Sequence, residues 1–277
     1  MFVDYLGKIF RTLPDFKGKH LIARRVMSPL FRGKGYKSIV KMSSYAGGRL
    51  LCHLDDWIPW NVYLYGNYQV EARYEQVMLG FAEQAGVVVD VGANIGYYSV
   101  QFGLITSGRV YCFEPMIYQH RILKQNLALN GLCNVSPLKM ILSDKEGTAR
   151  IYFAGTDNSG MSSLEYPRNE FEEVVSTTLD MFAAREGLDR VDVLKIDVEG
   201  HELNVLKGAN DLLAQGKINH LFVEINQITL RFGGTSPNQI CSYLGQFGYA
   251  PASIKTGRIE PYVEGMSESL VYFSRIK

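Results

Sequence analysis

The stretch Val87-Val88-Val89-Asp90-Val91-Gly92-Ala93-Asn94-Ile95-Gly96-Tyr97-Tyr98 decides the fold. A short run of β-branched residues closed by glycine reads as a strand buried on both faces. Gly92 and Gly96 then allow a tight turn, and Tyr97 to Thr106 has the composition of a helix. Strand, glycine turn and helix in this order form the first unit of a doubly wound sheet, with a ligand crevice at the strand's carboxyl end. Working outward, Ala72 to Gln84 suits a helix before this unit. After it come a strand at Arg109 to Phe113, a helix at Tyr118 to Asn130 and a strand at Val135 to Leu142. A polar excursion with hairpin character follows at Thr148 to Ser163. A helix at Leu179 to Arg185, a strand at Val193 to Asp197, a helix at Glu202 to Leu213 and a strand at His220 to Ile225 continue the alternation. A helix at Pro237 to Phe247 and strands near Tyr249 to Ile254 and Leu270 to Phe273 close it. This pace predicts an α/β, Rossmann-like fold whose seven-stranded sheet is mostly parallel with an antiparallel C-terminal strand.

The 277 residues suit one large domain, 71–277, with a basic N-terminal extension or cap over 1–70. Apolar residues at 47% and charged residues at 21% are enough for a sizeable core, so disorder is not the default. No apolar run approaches the ~18 residues of a membrane span, and the first residues lack a secretory pattern, so a cytoplasmic setting is expected. Cys52, Cys112, Cys133 and Cys241 have no metal-type spacing and read as buried thiols.

The net charge of +1 conceals an asymmetry. Residues 1–50 hold eleven Lys/Arg against Asp4 and Asp15, a net +9, which leaves −8 on the rest. The extension therefore either meets an anionic partner or membrane surface or neutralises the acidic body. Phe2, Leu6, Ile9, Phe10 and Leu13 recur at helical spacing with Lys8 and Arg11 on the polar side. Such a helix either lies on a membrane surface or docks on its own domain. Gly33 to Tyr68, with Trp57, Trp60, Tyr63, Tyr65 and Tyr68, reads as short strands and loops capping the domain, its aromatic rings core or acceptor groove. A homodimer through the extension stays open, and no nucleic-acid partner is expected.

The crevice has a chemistry of its own. A dinucleotide site uses G-x-G-x-x-G to bring a pyrophosphate against a helix N-terminus. Here the central glycine is missing, which disfavours an NAD-dependent oxidoreductase, and Asp90 closes the strand instead. That acid suits a ligand with a cationic amino group, such as S-adenosylmethionine (SAM). Gly92 and Gly96 give backbone access, and Asn94 and Tyr97 sit on the same turn and helix start. Glu114 ends the next strand 24 positions after Asp90, where an acid accepts from ribose hydroxyls. Ser143-Asp144 follows the third strand, placed to read an adenine edge.

These segments resemble the FkbM family of methyltransferases. The resemblance runs from about Tyr65 to the C-terminus and rests on Val89 to Tyr98 (VDVGANIGYY), Phe113-Glu114-Pro115, Asn126 to Gly131 (NLALNG), Leu142 to Gly147 (LSDKEG), Thr178-Leu179-Asp180 and Leu194 to Glu202 (LKIDVEGHE). The acid that the family carries before the first strand falls on Glu71, where the wording departs from the family's. The resemblance implies the class I SAM-dependent fold and methyl transfer, most often to a hydroxyl oxygen of a natural product, sugar or lipid-like small molecule.

An attacking alcohol must lose its proton to a group about 3 Å away. Asp197, at the carboxyl end of the fourth strand, is the expected acceptor-side acid and also touches the cofactor. Glu199 or His201 assists, Glu224 lines the pocket, and Lys195 pairs with an acid. Helix capping is the competing role for Asp197 and Glu199. Asp197, Glu199 and Glu224 are oxygen donors that a hard cation would accept, but the acid pair plus Asn of metal-dependent enzymes is not evident, so no metal is expected. The loop Asp157 to Ser163 is a candidate lid. N-methylation on the same fold, and a non-catalytic module docking through the extension, are the alternative functions.

Overall fold

A computed structural model describes residues 2–14, 16–68, 72–153, 162–165, 167, 169–255, 258–261 and 270–275. Glu71 and residues 157–161 of the expected lid lie outside them. The strands are β1 (Lys37–Lys41), β2 (Arg49–His53), β3 (Val87–Val91), β4 (Arg109–Phe113), β5 (Val135–Leu138), β6 (Ile141–Leu142), β7 (Gly147–Tyr152) and β8 (Phe171–Thr177). They continue with β9 (Val191–Ile196), β10 (Ile218–Glu224), β11 (Tyr249–Lys255), β12 (Arg258–Pro261) and β13 (Leu270–Arg275). Among the described residues the main sheet has eight strands in the order β12-β11-β13-β10-β9-β3-β4-β5, one more than expected, because β12 turns back on β11. β5, β4, β3, β9 and β10 run parallel, and β13 pairs antiparallel with β10.

Every residue of β3 and β9 is buried, as central strands covered on both faces require. Alternation sorts their side chains. Val87, Val89 and Val91 join one buried cluster with Leu194, Ile196, Leu206 and Leu244. Val88 and Val193 join the opposite cluster with Met78, Phe102 and Leu123. Asp90 shares the face of Val88, and the parallel register sets it beside Lys195.

The extension is part of that second cluster. Phe10 from the helix Phe2–Thr12, Met27 and Phe31 from the helical run 19–31, and Leu50 and Cys52 from β2 are buried with it. Asn126 fastens the join, donating to Ile95 O (2.8 Å) and accepting from Leu51 N (2.7 Å). No helix among the described residues is long and apolar enough to cross a membrane.

Several sequence expectations change. Val135 to Leu142 divides between two sheets, since Ile141–Leu142 pairs with β8 in a three-stranded sheet ordered β6-β8-β7. The expected hairpin partner of β7 is β8, reached after the excursion, with Tyr152 and Ser163 forming an isolated bridge. Trp57–Tyr65 is a helix, capped by the Asp56 carboxylate on Trp57 N (2.7 Å) and ended by Gly66 in the left-handed region. Glu202 to Leu213 divides into helices Glu202–Lys207 and Asn210–Ala214. Cys52 and Cys112 are buried as expected, whereas Cys133 is exposed in the turn after Gly131 and Cys241 is half-buried.

Candidate active site

The loop after β3 is held from beneath by the neighbouring strand. Gly92 N and Ala93 N both donate to Phe113 O at 3.0 Å. Glu114, which follows Phe113, accepts from Asn94 N through Oε2 (2.8 Å) and from Met116 N through Oε1 (2.9 Å). One carboxylate thus fixes both the glycine loop and the entrance to the helix Ile117–Leu129. Gly92 has φ +82°, and a Cβ there would stand 1.8 Å from Asp197 O, so only glycine lets this loop meet the end of β9. Asn94 is also left-handed (φ 50°), and its own Oδ1 accepts from Ile95 N at 2.7 Å.

Above the loop lies a cavity of about 330 Å³, within the usual ~300–1,000 Å³ of small-molecule sites. The carboxyl ends of β3, β9 and β10 form its charged end. Lys195, 2% exposed, places Nζ 3.1 Å from Asp197 Oδ2, 3.7 Å from Asp90 Oδ1 and 5.2 Å from the centre of the Tyr98 ring. Ser99 Oγ donates to Asp90 Oδ2 at 2.6 Å. Burial raises the Asp90 carboxyl above its ordinary range, against the pull of Lys195 and Ser99. Carboxylate oxygens of Asp197, Glu199 and Glu224 lie within 4.8 Å of one another, a spacing that one hard cation could bridge. Glu199 sits at φ 53°, unusual for a residue with a side chain.

On the other side of β3 the ends of β4 and β5 form an apolar end with Met116, Met140, Ile141, Leu142 and Ile151. Burial pushes the Glu114 carboxyl up to about 7, although the two amide hydrogen bonds oppose it.

Of the residues expected from sequence, Asp90, Gly92, Asn94, Tyr97, Glu114, Asp197, Glu199, His201 and Glu224 line this one cavity. Gly96, Ser143 and Asp144 are not among the described lining residues. Gly96 caps the helix Tyr97–Ile105 and packs on Leu123. Ser143 Oγ is engaged with His201 Nε2 (2.9 Å) and Asp144 Oδ1 (3.1 Å). His201 Nδ1 faces Glu165 Oε1 at 2.5 Å, and Ser163 Oγ donates to Glu199 O at 2.7 Å. With both ring nitrogens engaged, His201 tethers residues 163–165 to the loop after β9 and offers no free nitrogen to an acceptor.

Two residues escaped prediction from the sequence, one supporting a cavity residue from behind and one lining the cavity itself. Glu75, buried in the helix Ala72–Ala82, accepts from the Tyr97 hydroxyl, and burial raises its carboxyl. Gln119 lines the cavity from the first turn of Ile117–Leu129. A signal was present in both: each is a polar residue on an otherwise buried stripe, Tyr74-Glu75-Met78-Leu79-Ala82 and Gln119-Ile122-Leu123-Asn126-Leu127.

Comparison with known proteins matches residues 90–251 to the methyltransferase FkbM domain. Methyltransferase sdnD of Sordaria araneosa is 31% identical over 156 residues, covering 45% of this chain and 60% of that protein. Hexuronic acid methyltransferase AglP of Haloferax volcanii is 27% identical over 194 residues, 70% of this chain and 76% of that protein. The 2-O-methyltransferase NoeI of Sinorhizobium fredii is 24% identical over 180 residues, 58% and 72% of the two chains. Among solved structures, M. jannaschii TYW2 in complex with AdoMet covers 88% of this chain and 89% of its own at 20% identity and a TM-score of 0.39.

Proposed function

We propose, from the premise that the chain belongs to the FkbM family of SAM-dependent methyltransferases, that it methylates a hydroxyl oxygen of a small-molecule, sugar or lipid-like acceptor. The observation that carries the reading is the charge of the cavity. Asp90, Glu114, Asp197, Glu199 and Glu224 line it, with Lys195 set against them. An excess of carboxylate favours a ligand with a sulfonium and an ammonium over one with two phosphates. When bound, SAM supplies a methyl carbon already activated by its sulfonium. Asp90, Gly92, Asn94, Tyr97 and Glu114 are assigned to holding it, Glu114 as the ionised acceptor for ribose hydroxyls. Asp197 is assigned as the base that takes the acceptor's proton, a role worth ~10²–10⁴-fold in rate. Lys195 holds that carboxylate in place, and Glu199 and Glu224 orient the hydroxyl, so most of the remaining acceleration comes from alignment. Two relatives, a hexuronic acid methyltransferase and a 2-O-methyltransferase, support a sugar hydroxyl. Calorimetry with SAM, S-adenosylhomocysteine and NAD tests the cofactor; binding of NAD alone refutes it. A cell extract incubated with labelled SAM identifies the acceptor by mass, and label arriving on nitrogen would replace O- by N-methylation.

Residues 1–70 are assigned as a cap on the 71–277 domain that also contacts an anionic bilayer surface. The helix Phe2–Thr12 buries Gly7 and Phe10, yet Phe2, Tyr5 and Ile9 form a second stripe, 69%, 64% and 40% exposed. Leu21, Ile22, Val26 and Leu30 are exposed on the following helical run beside Arg24 and Arg25. An apolar stripe flanked by cations suits the headgroup boundary of an anionic membrane. Sedimentation with phosphatidylglycerol vesicles, but not phosphatidylcholine vesicles, is expected, and Phe2→Ser with Tyr5→Ser should abolish it. Sedimentation with neither, or a dimer that the same substitutions dissociate, overturns this contact.

A further inference from the structure

One buried side chain of the cavity has no partner to explain it. Gln119 is 1% exposed, and neither its amide oxygen nor its amide nitrogen has a hydrogen-bond partner among the described residues. A buried carboxamide left unpaired is costly and rare in native proteins, and one that lines a cavity can take its partner from the molecule the cavity binds. Its position narrows the choice. Gln119 follows the Glu114-Pro115-Met116 turn, one helical step beyond Met116, and Met116 is packed with Ile141 and Ile151. It therefore belongs to the end of the cavity beside β4 and β5, away from the carboxylates of β9 and β10. The neighbouring lining residues there, Met116, Met140, Ile141, Leu142 and Ile151, are apolar and suit the faces of a flat heteroaromatic ring.

We infer that Gln119 reads the purine of the nucleoside cofactor, its amide oxygen accepting from the exocyclic amino group and its amide nitrogen donating to an adjacent ring nitrogen. A carboxamide offers that donor and acceptor pair at the spacing adenine presents. The assignment rests on the SAM reading above. It moves the polar recognition of the base from Ser143-Asp144, where the Ser143 hydroxyl is already engaged by His201 and Asp144, to the helix after β4.

The test is calorimetric binding of S-adenosylhomocysteine and of its analogue lacking the 6-amino group, to the wild-type chain and to Gln119→Leu and Gln119→Glu. The wild type should prefer the amino-bearing ligand by about tenfold, the value of one neutral hydrogen bond to a buried group. In Gln119→Leu that preference should collapse to about onefold, while the ligand-free melting temperature holds or rises because an unpaired amide has gone. Gln119→Glu keeps the acceptor and loses the donor, so it should retain the preference with weaker overall affinity, and it serves if the leucine variant fails to fold. A wild type that binds both ligands alike, or a leucine variant that keeps the tenfold gap, overturns the assignment. A wild type that binds neither ligand sinks the SAM reading itself, a separable outcome.

Discussion

Replacing Glu114 by glutamine should flatten the pH dependence of cofactor binding. The Glu114 carboxyl is fully enclosed and burial places its pKa at about 7, against 4.5 for the unperturbed group. In the proposed role Glu114 accepts from ribose hydroxyls, which are donors, so binding draws on the ionised form. At pH 8 nearly all Glu114 is ionised, whereas at pH 6 roughly one molecule in ten is, which weakens S-adenosylhomocysteine binding about tenfold in the wild type. The stability of the ligand-free chain moves the opposite way. Because the folded pKa is raised, the Glu114 contribution is fully present below pH 4.5 and is lost as pH rises through 7, with an upper limit of about 3 kcal/mol. Glutamine keeps one acceptor for the Asn94 and Met116 amides and turns a second donor on the other, a loss of roughly 1–3 kcal/mol partly offset by removing a buried acid. Isothermal titration from pH 5.5 to 8, with thermal melts on the same samples, measures both effects. Glu202, also raised to about 7 by burial, accepts from Val198 N and Gly200 N away from the cavity, so it adds to the stability profile of both proteins and not to the binding profile. Equal slopes for wild type and Glu114→Gln, or no slope in the wild type between pH 6 and 7, would refute the reasoning.

Asp197→Asn should lower turnover by ~10²–10⁴-fold while leaving S-adenosylhomocysteine affinity nearly unchanged; equal turnover in steady-state kinetics removes Asp197 as base. Gly92→Ala forces a Cβ to within 1.8 Å of Asp197 O at a left-handed φ, and should cost roughly 3 kcal/mol or more in a chemical melt together with cofactor binding; an unchanged melt contradicts the close approach. Dialysis against a chelator should leave turnover intact, since Lys195 already supplies a cation to Asp197 and Asp90; loss that magnesium restores would give Asp197, Glu199 and Glu224 to a metal.

The centre of the fold was legible because its signals are local. Four valines around Asp90, then two glycines, specify β3, its loop and the helix start, and Asp90, Glu114 and Asp197 fall at the carboxyl ends of the neighbouring strands β3, β4 and β9. The rim was less legible. Trp57–Tyr65 hides its helix behind Pro59 and an almost unbroken aromatic face, so no 3.6-residue period shows. Phe171–Thr177 opens with consecutive glutamates, Glu172 and Glu173, that interrupt any apolar alternation, and it pairs with β7 across the intervening excursion, a partnership no nearby turn announces. His201 reads from its neighbours as an assistant to Asp197, but Ser143 and Glu165, both remote in sequence, engage its two nitrogens. Gln119 and Glu75 stand out only once their helices are known to be buried on that side.

Asn126 has a consequence for how the molecule opens. Its single carboxamide, shut away from water, spans the glycine loop at Ile95 and the extension at Leu51. Neither segment can detach without leaving that amide half-paired in an apolar interior, so the two form one cooperative unit. Their peptide protons should exchange with solvent in a shared opening event, and a protease that trims the extension would slacken the cavity at a distance.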